Sequence, residues 1–69
     1  MRTNRRNNGH RTYQIRNNGV TMIIETVSGK HIAEYRFTSP GSALSEIRAM
    51  YRTIDDHLAR GGTLGNYQW

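Results

Sequence analysis

From Thr12 the chain alternates apolar and polar side chains, with Tyr13 and Ile15 set against Gln14 and Arg16. A two-residue period is the mark of a short strand with one buried face. Asn17-Asn18-Gly19 follows, and these residues tolerate the positive φ of a tight hairpin turn. Val20 to Val27 is rich in β-branched residues and reads as a second strand. Ser28-Gly29 supplies another turn, and His31 to Phe37 reads as a third strand. Three strands joined by short turns make an antiparallel meander.

After Phe37 the period changes. Leu44, Ile47, Tyr51, Ile54 and Leu58 recur at steps of three and four, with Ala43 and Met50 widening the stripe. That spacing predicts an amphipathic helix. Ser39 can cap it, and Pro40 suits its first position, where a missing N–H costs nothing. Glu46 near the start and Arg60 near the end both suit the helix dipole, and Gly61-Gly62 stops the helix.

The expected fold class is α+β: a three-stranded antiparallel β-meander packed against one C-terminal α-helix, preceded by a disordered basic N-terminal arm. The expected core takes Tyr13, Ile15, Met22, Ile24, Ala33, Tyr35 and Phe37 from the sheet and the apolar stripe from the helix. The open face then carries Gln14, Arg16, Thr21, Ile23, Glu25, Ile32, Glu34 and Arg36. Residues 1–11 form the arm, 12–62 the βββα domain and 63–69 a C-terminal tail. The tail, with Leu64, Tyr67 and Trp69, reads equally as an arm folding back over an edge or partner and as a frayed terminus.

Charge sharpens this division. The net charge is +5, and residues 1–16 hold Arg2, Arg5, Arg6, Arg11 and Arg16 with no acid. The remaining bases and acids balance. A segregated basic block indicates a polyanionic partner. Lys30 is the one lysine among ten basic residues, and guanidinium forks suit phosphates and guanine edges better than ammonium does. Residues 1–11 lack apolar periodicity after Met1 and cannot offset their ordering entropy, so the arm is expected to be disordered when free.

Other function classes fare poorly. At 69 residues without cysteine, the chain has room for one small core and no disulfide or thiolate metal site. No apolar run approaches the roughly 18 residues that span a bilayer, and no hydrophobic stretch backs the N-terminal charges as in a signal peptide. A cytoplasmic location is the expectation. His10, His31 and His57 are widely separated, and neither a metal nor another cofactor is expected. Asp55 and Asp56 are adjacent, so a helix turns them about 100° apart and they do not act on one substrate atom. They are expected to pair with Arg52 and Arg60 instead. Ser39, Ser42 and Ser45 have no nucleophile-elbow context. Arg6-Asn7-Asn8-Gly9 and Arg16-Asn17-Asn18-Gly19 repeat one tetrapeptide, which is a turn signal rather than a phosphate cradle. No catalytic residues are assigned, and the chain is not expected to be an enzyme.

A basic arm on a small sheet remains. Arginines of an arm neutralise phosphates and enter a narrow minor groove, while the outward side chains of a sheet can reach base edges in the major groove. The candidate nucleic-acid-binding residues are Arg2, Arg5, Arg6, Arg11, Gln14, Arg16, Asn17 and Arg36. Glu25 and Glu34 on the same face oppose that use.

Tyr13 to Lys30, with Ile15-Arg16-Asn17-Asn18-Gly19 and Ser28-Gly29-Lys30, resembles the N-terminal arm-binding domain of lambda-type phage integrases. The likeness covers about half the chain. It implies a basic tail, a three-stranded sheet and a C-terminal helix, with Arg2, Arg5 and Arg6 toward the minor groove and Arg16, Asn17 and Arg36 at the DNA-facing sheet. The catalytic domain of those recombinases is missing, so the resemblance implies an accessory or regulatory DNA binder of a phage or mobile element.

The alternative is a small protein-binding module, such as a phage-encoded inhibitor or adaptor. Ile23 and Ile32 on the open face, an unpaired strand edge, and Leu64, Tyr67 and Trp69 of the tail would form its contact with a partner or a second copy. RNA is a third partner, since charge alone does not separate it from DNA.

Overall fold

A computed structural model describes residues 11–69. Strands β1 (Tyr13–Asn17), β2 (Thr21–Thr26) and β3 (His31–Arg36) form one antiparallel sheet in the order β1-β2-β3, followed by helix α1 (Ala43–Ala59). The expected three-stranded meander and C-terminal helix are therefore found, while the expected disorder of the arm falls on residues 1–10, outside the described residues. Each hairpin turns on a glycine with positive φ, as at Gly19 (φ 100°). Among the described residues no helix is long and apolar enough to cross a membrane.

In β1–β2, Ile15 faces Ile24 and Asn17 faces Met22; in β2–β3, Met22 faces Tyr35 and Ile24 faces Ala33. The set containing Tyr13, Met22, Ile24 and Phe37 points toward α1 and meets Ile54 in the buried core. Removing a fully buried side chain the size of Ile24 or Ile54 from water contributes about 2–3 kcal/mol each.

Three details depart from the sequence reading. The ladder shifts between Ile24 and Glu25, where Glu25 faces His31 rather than Ile32. A bulge changes which face a side chain takes, and Ile32 packs against the core cluster instead of standing on the open face. Leu44, expected in the helical stripe, is 63% exposed. Ala43, Ile47, Met50, Tyr51, Ile54 and Leu58 follow one face, and Leu44 is turned about 100° from Ala43. The helix also starts differently. Pro40–Ser42 forms a 3-10 turn, and the carboxylate of Glu46 accepts the Thr38 N–H (2.9 Å) and the Ser42 hydroxyl. Ser39 is the N-cap of that turn with Pro40 in its first position, as expected, and Glu46 braces the entry to α1.

At the other end Gly61 (φ 93°) allows its N–H to reach the Leu58 carbonyl and that of Gly62 to reach His57. This closure turns the chain back beneath the sheet. Leu64, Tyr67 and Trp69 pack against the core cluster, and the Trp69 carbonyl accepts the Tyr35 hydroxyl. The tail thus folds back onto its own domain and completes the second layer beside α1.

Candidate nucleic-acid interface

On the open face of the sheet, charges are matched in place. Gln14 donates to Glu25 at 2.6 Å, and Arg16 lies 3.4 Å from the same carboxylate. The Gln14 hydrogen bond and then the Arg16 guanidinium hold the Glu25 carboxyl below its ordinary value. Glu34 accepts from the Thr21 hydroxyl at 3.0 Å and lies 3.5 Å from His31. Ile23, between its cross-strand neighbours Arg16 and Glu34, is 9% exposed. Asn17 accepts the Gly19 N–H at 2.8 Å and shapes the turn. Of the sheet residues assigned to nucleic acid, Arg36 is exposed and has no hydrogen-bond or ion-pair partner among the described residues. The other three are engaged within the fold.

Arg11 is also engaged, and by more than charge. Its guanidinium forms a bidentate contact with Asp55, with Nη2 2.8 Å from Oδ2, and lies 4.3 Å from the centre of the Tyr51 ring. Tyr13 donates to the other Asp55 oxygen, and the Tyr51 hydroxyl accepts the Ile15 N–H at 3.0 Å from the outer edge of β1. The folded body therefore takes in Arg11, one residue earlier than the sequence placed its start. Arg2, Arg5 and Arg6 lie outside the described residues; what the structure fixes is their attachment, beside the flank of α1 that carries Tyr51 and Asp55.

The remaining acids are matched as well. Asp56 pairs with Arg60 one helical turn away, while Arg11 occupies the Asp55 position that the sequence assigned to Arg52. Every acid of the chain thus has a partner within its own fold. Lys30, Arg36, Arg48 and Arg52 have no ion-pair partner among the described residues. Arg48 and Arg52 are four apart on exposed helix surface, each three residues before an anchor of Arg11, namely Tyr51 and Asp55. Side chains three and four apart share a helix flank, so these two cations neighbour the arm's attachment. Sequence reasoning missed this pair because Asp55 seemed available to Arg52; the spacing of Arg48 and Arg52 was the visible signal.

Residues assigned to protein contact are mostly consumed by the fold. Ile23 is buried, Ile32 is half-buried, and Leu64, Tyr67 and Trp69 form the inner tail. Tyr67 stands edge-on to His57 at 5.1 Å and lies 4.4 Å from Trp69. Among the described residues no three histidine or carboxylate side chains converge as metal ligands. Comparisons with protein-family models, curated proteins and solved structures find no match to the chain.

Proposed function

We propose that the protein is a cytoplasmic, non-catalytic DNA-binding module that grips the phosphate backbone with its arm and the adjoining flank of α1. One observation carries this reading. Glu25, Asp55 and Asp56 are each paired with an arginine and Glu34 and Glu46 are hydrogen-bonded inside the fold, while Arg48 and Arg52 have no ion-pair partner among the described residues and share the helix flank to which Arg11 is fastened. Arg48 and Arg52, with the arm's Arg2, Arg5 and Arg6 joined to the chain ahead of Arg11, supply five guanidinium groups of the kind that suits a row of phosphates. The sheet's open face is locally neutral, so contact falls on the arm and flank. An accessory or regulatory role in a phage or mobile element accords with the integrase-arm resemblance.

The test is a titration with duplex DNA across a salt series, using the full chain and a form lacking residues 2–10. Stopping at His10 preserves the Arg11–Asp55 anchor. Each lost phosphate contact should lower the slope of log K against log salt by about 0.9. Unchanged affinity and slope after the deletion would sink the proposal, and tighter binding to single-stranded or duplex RNA would redirect it.

A further inference from the structure

The two edges of the sheet are treated differently. The outer edge of β1 is partly covered, since Tyr51 accepts the Ile15 N–H. The outer edge of β3 has no such cover. Phe37 donates to the Val20 carbonyl, so alternation directs the backbone groups of Tyr35 and Ala33 toward β2 and those of Glu34 and Arg36 outward. No backbone or side-chain group among the described residues meets those outward N–H and C=O groups. An edge of this kind is a template for another strand unless charge or shape forbids pairing.

Here the edge charges select a partner. Glu34 and Arg36 share the open face, and both are exposed. Antiparallel pairing of β3 with itself allows three registers that join outward-facing residues. One centred on Glu34 sets that carboxylate against its own copy, and one centred on Arg36 sets that guanidinium against its own; Lys30 is no part of this edge, since its N–H and C=O are held by Thr26. Centring on Tyr35 sets Glu34 against Arg36 twice, once on each side of the two-fold axis. Opposite charges facing each other across strands are favourable, and like charges are not. The edge is complementary to itself in one register only.

We propose that a second copy of this chain pairs along β3, with Glu34 of each copy opposite Arg36 of the other, making one continuous six-stranded sheet. The pairing uses four backbone hydrogen bonds, two at each Glu34–Arg36 position. Tyr35 meets its counterpart on the helix side at a non-hydrogen-bonded position, where side chains approach more closely. The pairing ends at Thr38, whose N–H is already held by Glu46. Such a short seam gives a reversible, concentration-dependent dimer. The β1 ends that carry the arms stay at the two outer edges, clear of the seam.

Sedimentation velocity in the absence of nucleic acid tests this independently of DNA binding. The full chain should pass from monomer to dimer with concentration. Glu34→Arg and Arg36→Glu should each raise the dissociation constant about tenfold or more, since each sets like charges face to face. The double variant E34R/R36E should restore association, which a merely misfolded single variant would not allow. Amide exchange at Glu34 and Arg36 should slow as concentration rises. A monomer up to about 1 mM, a double variant as weak as the singles, or exchange at those amides independent of concentration would each overturn the proposal.

Discussion

Arg11 and Asp55, 44 residues apart, form a two-pronged ion pair that fastens the entry of the chain to the side of α1. The same carboxylate takes the hydroxyl of Tyr13, a residue 1% exposed, so one acid joins a surface cation to the core. The arm's root is thereby part of the fold, and substitutions here separate anchoring from the proposed DNA contact.

Asp55→Ala should therefore cost more than Arg11→Ala. Loss of Asp55 strands the Tyr13 hydroxyl, which retains only a long 3.4 Å approach to the Tyr51 carbonyl. An unsatisfied buried group costs about 1–3 kcal/mol. The Arg11 and Asp55 side chains are 51% and 41% exposed, and screening limits such a pair to about 1 kcal/mol or less. Urea unfolding would rank the two, and equal losses would contradict the shared role of Asp55.

Acid should weaken the fold through three carboxylates. Burial pushes the Asp55 carboxyl up, but hydrogen bonds from Arg11 and Tyr13 outweigh it and hold it below its ordinary value. Ser42, then the Thr38 N–H, depress Glu46, and Gln14 with Arg16 depress Glu25. A depressed folded value means stability is present above the unfolded range, about pH 4, and is lost as pH falls through the folded values. Stability measured from pH 7 to pH 2 should be level at first and then decline. Asp55→Asn should make that decline shallower.

Alkali should weaken it for the opposite reason. Burial, then the bond to Asp55, raises the Tyr13 phenol well above its ordinary value. A raised folded value gives stability that is complete below the unfolded value, about pH 10, and is lost as pH rises toward the folded one. Tyr13→Phe should make this alkaline decline shallower, as followed by circular dichroism between pH 8 and pH 12, with the remainder carried by Tyr35, whose phenol is also raised by burial.

The strands and the helix were legible because their periods of two and of three-to-four fall on residues that do become core, such as Ile24 and Ile54. The glycine turns were legible for the same local reason. What failed was set by tertiary contact. Nothing local announces the bulge that turns Ile32 inward, nor that Arg11 displaces Arg52 at Asp55 across 44 residues. Arg16 looked available until the register placed Glu25 beside it. Charge segregation pointed to the arm; only the fold showed that Arg48 and Arg52 on the helix flank beside it lack ion-pair partners among the described residues.

If DNA contact follows the unmatched cations, Arg48→Ala and Arg52→Ala should each lower the salt slope by about 0.9. Arg16→Ala should leave the slope nearly unchanged, because that guanidinium is already matched by Glu25. Filter binding or fluorescence anisotropy with one duplex at several salt concentrations would separate the two groups. An Arg16→Ala loss exceeding both helix variants would return the interface to the sheet.

The tail's docking depends on the absence of a side chain at Gly62. A Cβ there would lie 2.3 Å from His57 Nε2 and 2.4 Å from Cε1, closer than atoms pack. Nε2 faces two acceptors, the Thr63 carbonyl at 2.9 Å and Asn66 Oδ1 at 2.8 Å, so it carries a proton and donates to both. The ring also supports Tyr67, which packs at a tilt against Trp69. Gly62→Ala must displace the imidazole, and loss of its bonds to Thr63 and Asn66 should loosen the tail, at a cost of about 1–3 kcal/mol. Trp69 is the one tryptophan, and its indole N–H donates to the Leu64 carbonyl at 3.0 Å, so its emission reports docking directly. The variant should unfold at lower temperature with red-shifted native emission. Gly65→Ala is the control: its Cβ would meet Thr63 Oγ1 at 3.8 Å, an ordinary contact, and stability should stay within about 0.5 kcal/mol. Unchanged emission in Gly62→Ala would show that His57 does not hold the tail.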